Sequence, residues 1–246
     1  MTPAAVFLGV GECMVELAPT GVGRYQHGFA GDVFNTLWYA ARALGTDWQV
    51  RFHTALGDDP LSDELAAFAA RSGIDCAAVP RVSGRVPGLY MIRLSPDGER
   101  SFLYWREHSA ARALMGQPES VRTQILQAAL VYVSGITLAI LPPDDAEVLV
   151  MLMAEASAGG RVVAFDPNLR PRLWDSPARM RDLVSRAAAA STIVLPGFDD
   201  EAAAFGDAHP HDTASRYTRG YCAHVVVKNG VGPVTALVDG VLSVHQ

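Results

Sequence analysis

Short runs of buried-strand composition recur along this chain, and each stops at a polar or glycine-rich loop before a stretch of helical spacing begins. The sharpest is Arg161–Val163 running into Ala164 and Phe165. It halts at Asp166-Pro167-Asn168 and then delivers Arg170 and Arg172. A continuous apolar run bounded by turn residues is how a strand covered on both faces reads. Val6–Val10, Val50–Ala55, Val131–Val133, Ile193–Leu195 and Val225–Val227 read the same way. Helices are expected between them. One follows Gly31, with Leu37, Ala40, Ala41 and Leu44 inward and Gly45 as its stop; another runs from Leu61 to Arg71, with Leu65, Phe68 and Ala69 inward. Further helices are expected around Pro118–Leu126, Asp144–Ala158 and Ala178–Ala190, from Asp200 to Phe205, and over 213–220. Such alternation predicts an α/β chain, a Rossmann-like doubly wound sheet, mostly parallel, with helices on both faces. Ligands of open α/β sheets sit at the carboxyl ends of strands, which is where Asp166, Asn168 and Arg170 are carried.

Two segments break the alternation. Gly88–Leu94 and Ser101–Arg106 are rich in strand formers and are joined by Ser95-Pro96-Asp97-Gly98-Glu99, whose Asp-Gly is a hairpin signal. This ribbon is expected to project from the main sheet. Met14–Leu17 reads as a short strand and Gly21–Phe29 as a loop or hairpin. A last hairpin is expected from Thr235–Val238 and Val241–Val244 around Asp239-Gly240. The longest apolar stretch, Ala128–Leu141, is broken by Gly135 and reads as strand plus turn, too short for a bilayer.

Composition narrows the function. A net charge of −6 over 246 residues argues against a nucleic-acid or anionic-membrane surface. Basic residues are almost all arginine, with Lys228 the single lysine. Cys13, Cys76 and Cys222 are scattered and form no C-x-x-C, which fits a reduced, cytoplasmic protein without a disulfide frame or zinc site. The opening MTPAAVFLGV reads as a first strand rather than a signal peptide.

Motif elimination leaves polar residues at strand ends. The sequence holds no G-x-x-x-x-G-K-[ST], no G-x-G-x-x-G after the first strand, no H-E-x-x-H and no G-x-S-x-G. His209 and His211 lie in a proline-containing loop and read as solvated. Gly31-Asp32, with Asn35 one turn on, offers backbone N–H groups and small side chains for the hydroxyls of a polar ligand; equally, Asp32 could simply cap the helix. Tyr104 and Arg106, two apart on the ribbon, share a face by parity, with Tyr90 on the other strand. A tyrosine and an arginine together suit a hydroxylated carboxylate ligand, although cross-strand aromatic packing explains the tyrosines as well. Lys228, Gly230 and Gly232 follow a Val-Val-Val strand and could cradle phosphates, or form a tight turn with a solvated lysine. A sugar-acid site with two arginines and a glycine loop for a nucleotide uses all these residues.

With those residues in place, the chain resembles the ribokinase-type (PfkB) carbohydrate kinases, and among them the 2-keto-3-deoxygluconate kinases. The resemblance rests on GECMVEL at Gly11–Leu17, GFAGDVFNTLWYAARALG at Gly28–Gly45, TALGDDPLS at Thr54–Ser62 and PGLYMI at Pro87–Ile92. It continues through GERSFLYWR at Gly98–Arg106, YVSGITLAIL at Tyr132–Leu141, FDPNLRPRLW at Phe165–Trp174 and VVVKNG at Val225–Gly230. It implies one ribokinase-like domain over 1–246 with a β lid at about 13–30 and 86–107 that often pairs with the lid of a second subunit, hence a homodimer or higher homo-oligomer. It implies ATP and Mg2+ as cofactors and a small sugar acid as substrate. Substrate contacts are implied at Gly31, Asp32, Asn35, Tyr90, Tyr104, Arg106 and Arg170. Arg170 is also the charge stabiliser, and the nucleotide falls to Asn168, Lys228, Gly230 and Gly232. Asp200 and Glu201 fall at an acidic element linked to magnesium, indirectly.

Three departures accompany it. Gly197 stands where the family has Asn or Ser, and Ala30 replaces the first glycine of a Gly-Gly pair. No D-T-T-G-A-G-D-type segment occurs, so the aspartate expected as catalytic base is placed beyond Gln246. The alternatives are another sugar kinase of the family, such as a fructokinase, or a catalytically deficient sugar-acid-binding protein.

Overall fold

The computed structural model describes residues 4–95 and 97–246. The first three residues of the expected first-strand segment, and Pro96 of the ribbon turn, lie outside the described residues. Two compact units divide the chain, residues 1–117 and 118–246, and each is taken by itself.

In the first unit the order is β1 (Ala5–Val10), β2 (Met14–Gly21), β3 (Arg24–Ala30), α1 (Asp32–Ala43), β4 (Trp48–His53), β5 (Leu56–Gly57), α2 (Pro60–Arg71), β6 (Ile74–Asp75), β7 (Arg81–Val82), β8 (Leu89–Leu94) and β9 (Arg100–Trp105). β1, β4 and β6 run parallel, with Phe7 opposite Val50 and Val50 opposite Ile74. Leu8, Val10 and Phe52 are buried along these strands, as the continuous apolar runs require. α1 buries Val33, Phe34 and Leu37, one turn earlier than the expected inward set. The Leu37 side chain lies where a Cβ on Gly9 would sit, 2.7 Å away, so a glycine in β1 lets the helix settle onto the strand. α2 starts as its sequence demands: Pro60 opens the first turn, and the Asp59 carboxylate accepts from the N–H groups of Leu61 and Ser62 at 3.0 and 3.2 Å.

The ribbon is larger than the sequence suggests. β2 continues to Gly21, and with β3, β8 and β9 it forms a separate four-stranded sheet in the order β3-β2-β8-β9. β2 and β8 are parallel while the outer pairs are antiparallel. Tyr90 lies directly opposite Tyr104.

The second unit runs α3 (Pro118–Gln127), β10 (Leu130–Ser134), α4 (Gly135–Ile140), α5 (Pro143–Ala158), β11 (Val162–Asp166), α6 (Pro177–Ala189), β12 (Ile193–Val194), α7 (Phe198–Phe205), α8 (Pro210–Tyr217), β13 (His224–Val227), β14 (Val234–Val238) and β15 (Val241–His245). β10 to β13 are parallel neighbours in sequence order, and β14 and β15 extend them as an antiparallel meander. Asp239 and Gly240 both take positive φ, 49° and 78°, the pairing that a two-residue primed hairpin turn requires.

Two expectations need correction here. Ala128–Leu141 is not strand plus turn, because Gly135 opens a helix. The Ser134 hydroxyl accepts from the Ile136 N–H at 3.2 Å, and Leu138 and Ile140 are buried, so this short helix shows no polar face to betray its period. His209 and His211 are not in a loop: His209 caps α8, with its side chain and that of Asp212 forming a reciprocal cap, and His211 lies in the helix.

Gly135 also carries a testable consequence. A Cβ there would fall 2.0 Å from the Pro167 carbonyl oxygen. Gly135→Ala is expected to push the Asp166–Arg170 loop off its position and to destabilise the protein by about 1–3 kcal/mol, read as a lower urea midpoint at unchanged m.

Candidate active site

The first unit sets Gly31, Gly88 and Arg106 around a residue the sequence did not single out. Glu12 follows β1 and is 3% exposed. Its Oε2 accepts a short charge-assisted hydrogen bond from Nη2 of Arg106, itself only 9% exposed. Burial pushes the Glu12 carboxyl above the usual range, with the Arg106 guanidinium opposing that rise. Glycines make room for the pair. A Cβ on Gly31 would lie 2.4 Å from the Glu12 carbonyl oxygen, and one on Gly88 would lie 2.8 Å from Glu12 Oε1. The glycine of the Gly-Asp block is thus required by the Glu12 backbone, and that of the Pro-Gly-Leu-Tyr block by its side chain.

The ribbon residues divide. β9 ends at Trp105, so the strand alternation that paired Tyr104 with Arg106 no longer applies at 106. Tyr104 is half exposed, whereas Arg106 is buried against Glu12. Tyr90, Phe102 and Tyr104 form an aromatic cluster with ring centroids 6.0–6.3 Å apart. The Tyr90 hydroxyl donates to Glu16 Oε2, and burial followed by that bond raises its pKa. The cross-strand packing explanation therefore holds for the tyrosines alongside any ligand role.

Asp32 does not cap α1. The N-cap is Gly31, with no side-chain cap bond, and Asp32 is the first helical residue. Asn35 is exposed, its side-chain oxygen 3.5 Å from the Gly31 N–H. It lines an open pocket of about 310 Å³ whose other walls are Phe29, Phe34, Trp38, Tyr39 and Phe68.

The second unit joins two motifs that lie 62 residues apart. Lys228 Nζ donates to Asp166 Oδ2 at 2.6 Å, while Asp166 Oδ1 accepts from the Asn168 N–H at 3.1 Å. Asn168 takes a positive φ of 37°, and asparagine tolerates this conformation better than most residues. The Lys228 backbone is fixed as well, its N–H donating to Pro196 O and its carbonyl accepting from the Phe198 N–H, both at 2.8 Å. Beyond it Gly230 takes φ +54°, and the Gly232 N–H closes a turn onto Asn229 O at 2.7 Å. Arg170 is half exposed. Its Nη1 donates to Leu169 O at 2.6 Å and to Asp200 Oδ2, in the first turn of α7, at 3.1 Å.

Glu201 needs a correction. It is fully buried, and its Oε2 accepts from Arg216 Nη2 and from the Tyr217 hydroxyl, both at 2.8 Å. Arg216 also holds Asp207 at 2.6 Å and stacks on Phe205 and Tyr217, 3.7 and 4.3 Å from their centroids. A carboxylate committed in this way is not available to a metal, and the assignment beside magnesium rests on Asp200 alone. Gly197, as its missing side chain implies, gives α7 no side-chain cap.

A family model described as pfkB family carbohydrate kinase matches residues 8–245. This chain belongs to the pfkB carbohydrate kinase family. The kinase is 36% identical over 224 residues to the 2-dehydro-3-deoxygluconokinase of Haemophilus influenzae, covering 90% of this chain and 71% of the relative. Identity to the enzyme of the same name from Dickeya dadantii is also 36%, over 236 residues, 94% of this chain and 75% of that one. The PfkB protein from Polaromonas sp. JS666 has the same fold, with a TM-score of 0.86, 28% identity, and coverage of 98% of this chain and 82% of that one. The kinase has the ribokinase-like α/β architecture that the resemblance implies, with a large mostly parallel sheet and a separate small four-stranded one. No helix among its described residues is long and apolar enough to cross a membrane.

Two features of the candidate site have no signal in the sequence. Glu12 lies within the GECMVEL motif, but a carboxylate after a strand has no partner visible in the sequence. The Asp166–Lys228 pair links motifs that were found separately and that only strand order brings into reach.

Proposed function

We propose that the protein phosphorylates 2-dehydro-3-deoxy-D-gluconate on its 6-hydroxyl, taking the γ-phosphoryl group of ATP. The observation that carries this reading is the state of Arg106. It is a buried guanidinium, paired end-on to Glu12, whose Nε has no partner. A neutral sugar offers such a group only hydroxyl and carbonyl acceptors, whereas a sugar acid offers a carboxylate suited to a planar fork. The relatives named 2-dehydro-3-deoxygluconokinase over nine-tenths of the chain support the same substrate class.

Each unit has its part in this reading. Gly31, Asp32 and Asn35 take sugar hydroxyls, Tyr90 and Tyr104 flank the acid, and Arg106 meets its carboxylate. Asn168, Lys228, Gly230 and Gly232 hold the nucleotide, with Lys228 exchanging Asp166 for phosphate oxygens. Arg170 approaches the sugar acid and neutralises charge on the transferring phosphoryl group, a transfer that depends on positioning and electrostatics. Neither arginine can accept the proton of the sugar hydroxyl, because guanidinium stays charged. Among the described residues, no group of three or more His, Cys, Asp or Glu side chains is placed to hold a metal. That suits magnesium carried by ATP phosphates with one or two carboxylates at most, here Asp200.

The four-stranded sheet acts as the lid. β9 is one of its edges, and Phe102, Leu103, Tyr104 and Trp105 are all exposed there, which favours pairing with a second copy in a homodimer or higher homo-oligomer. Steady-state turnover of 2-dehydro-3-deoxy-D-gluconate against D-fructose tests the substrate. The acid is expected to exceed fructose roughly 100-fold in kcat/KM, and Arg106→Ala to remove most of that preference. Faster turnover of fructose, with a harmless Arg106→Ala, would overturn the acid-specific reading.

A further inference from the structure

We propose that Glu12 is the positioning residue for Arg106, and that through it the protein sets its preference for an anionic over a neutral sugar. The proposal rests on the reading of Arg106 as the partner of the sugar carboxylate.

Four segments that are distant in sequence converge on Glu12: its own strand exit, the Gly31 start of α1, Gly88 before β8, and Arg106 after β9. The cluster is also short of hydrogen bonds. The Glu12 carboxylate also takes a hydrogen bond from the Ser109 side chain, whereas Arg106 Nε is buried and has no partner. Buried polar groups are almost always paired, and an unpartnered guanidinium N–H beside an ion pair marks a site that something else completes. A lone buried guanidinium would be costly, and with its flexible stem it would swing out to water. Glu12 holds it in place through one of its donors and leaves others for an incoming carboxylate.

Position and charge make opposite demands, and this makes the idea testable. Glu12 repels a bound carboxylate, so if its charge were its main effect, removing that charge would tighten binding of the acid. If positioning dominates, removing it weakens binding. The structure favours positioning, because Glu12 supplies the recorded hydrogen bond to this buried guanidinium, and such charged bonds are the strong ones.

The test is calorimetric binding of 2-dehydro-3-deoxy-D-gluconate, D-fructose and ADP. Glu12→Gln is expected to raise the Kd for the acid roughly 10-fold or more, with fructose and ADP moving less than about 2-fold. In an Arg106→Ala background it should add nothing further, since a positioning residue acts only through what it positions. Gly88→Ala preserves every charge and presses on Glu12 Oε1. It should shift the acid's Kd in the same direction, and it carries the test if Glu12→Gln does not fold. Tighter or unchanged acid binding in both variants, or a full additive effect on Arg106→Ala, would overturn the proposal. If Arg106→Ala binds the acid as well as the parent does, the substrate reading falls and this proposal goes with it. If Arg106→Ala is impaired while Glu12→Gln and Gly88→Ala are silent, only the proposal falls.

Discussion

Arg170→Ala is expected to lower kcat by ~10²–10³-fold, the range seen when one preorganised donor to transition-state charge is removed. Arg170 leaves the end of β11 through a loop anchored at both ends: Asp166 ties down the Asn168 N–H, and Asp200 holds the guanidinium at 3.1 Å. Half exposed, this ion pair contributes little to folding. The substitution should therefore leave the urea midpoint close to the parent value while turnover collapses. Arg170→Lys restores the charge without the fork and should recover only part of the rate. Single-turnover measurements on the three proteins check this. A kcat within about 3-fold of the parent for Arg170→Ala would reduce Arg170 to a surface partner of Asp200.

Arg216→Ala is expected to have the opposite signature, a large loss of stability. Arg216 is mostly buried, packed against Phe205 and Tyr217, and bonded to both Glu201 and Asp207. Removing it strands two carboxylates in α7 and the segment after it. Breaking a buried pair by deleting one partner costs about 3–5 kcal/mol, because the other charge remains uncompensated. Urea titration followed by circular dichroism reads that loss. Adding Glu201→Gln and Asp207→Asn to the Arg216→Ala protein should return much of it, since no charge is then stranded. A loss below about 1 kcal/mol for the single variant would mean that the cluster is solvated rather than buried.

Acid acts on the same network with a definite sign. Burial raises the Asp207 carboxyl, but the hydrogen bonds from Arg216 and Thr213 outweigh it and hold the group below the ordinary range. Its share of stability is therefore present above about pH 4, the unfolded value, and is lost as pH falls through the lower folded one. Glu201 shifts the other way, raised chiefly by burial. Its contribution is fully present below the unfolded value and fades as pH rises through the folded one.

The elements that were legible in the sequence are those whose pattern is local. β11 announces itself by four apolar residues against a proline, α2 by the spacing of Leu65, Phe68 and Ala69, and the β14–β15 hairpin by Asp239-Gly240. What stayed hidden depends on partners distant along the chain. α4 is apolar on every side because it is buried, so it looks like a continued strand until Ser134 is seen capping it. Parity placed Arg106 beside Tyr104, yet strand geometry ends one residue earlier and Glu12 draws the guanidinium inward. The acidic pair at 200 and 201 invited one joint role. Successive helical residues face different directions, and the neighbours divide, one to Arg170 and one to Arg216.

The Glu12–Arg106 pair also bears on how substrate range can be redesigned. The small four-stranded sheet looks like a detachable module that could be grafted from a kinase for a neutral sugar. A graft that replaced Arg106 alone would leave Glu12 ionisable, buried and without its guanidinium behind Gly88. One that kept Arg106 but traded Gly88 for a larger residue would crowd the carboxylate it depends on. On the reading proposed for Arg106, acid selectivity would be a property of a matched set drawn from core strand, helix start and small sheet. Those parts must be exchanged together or left alone.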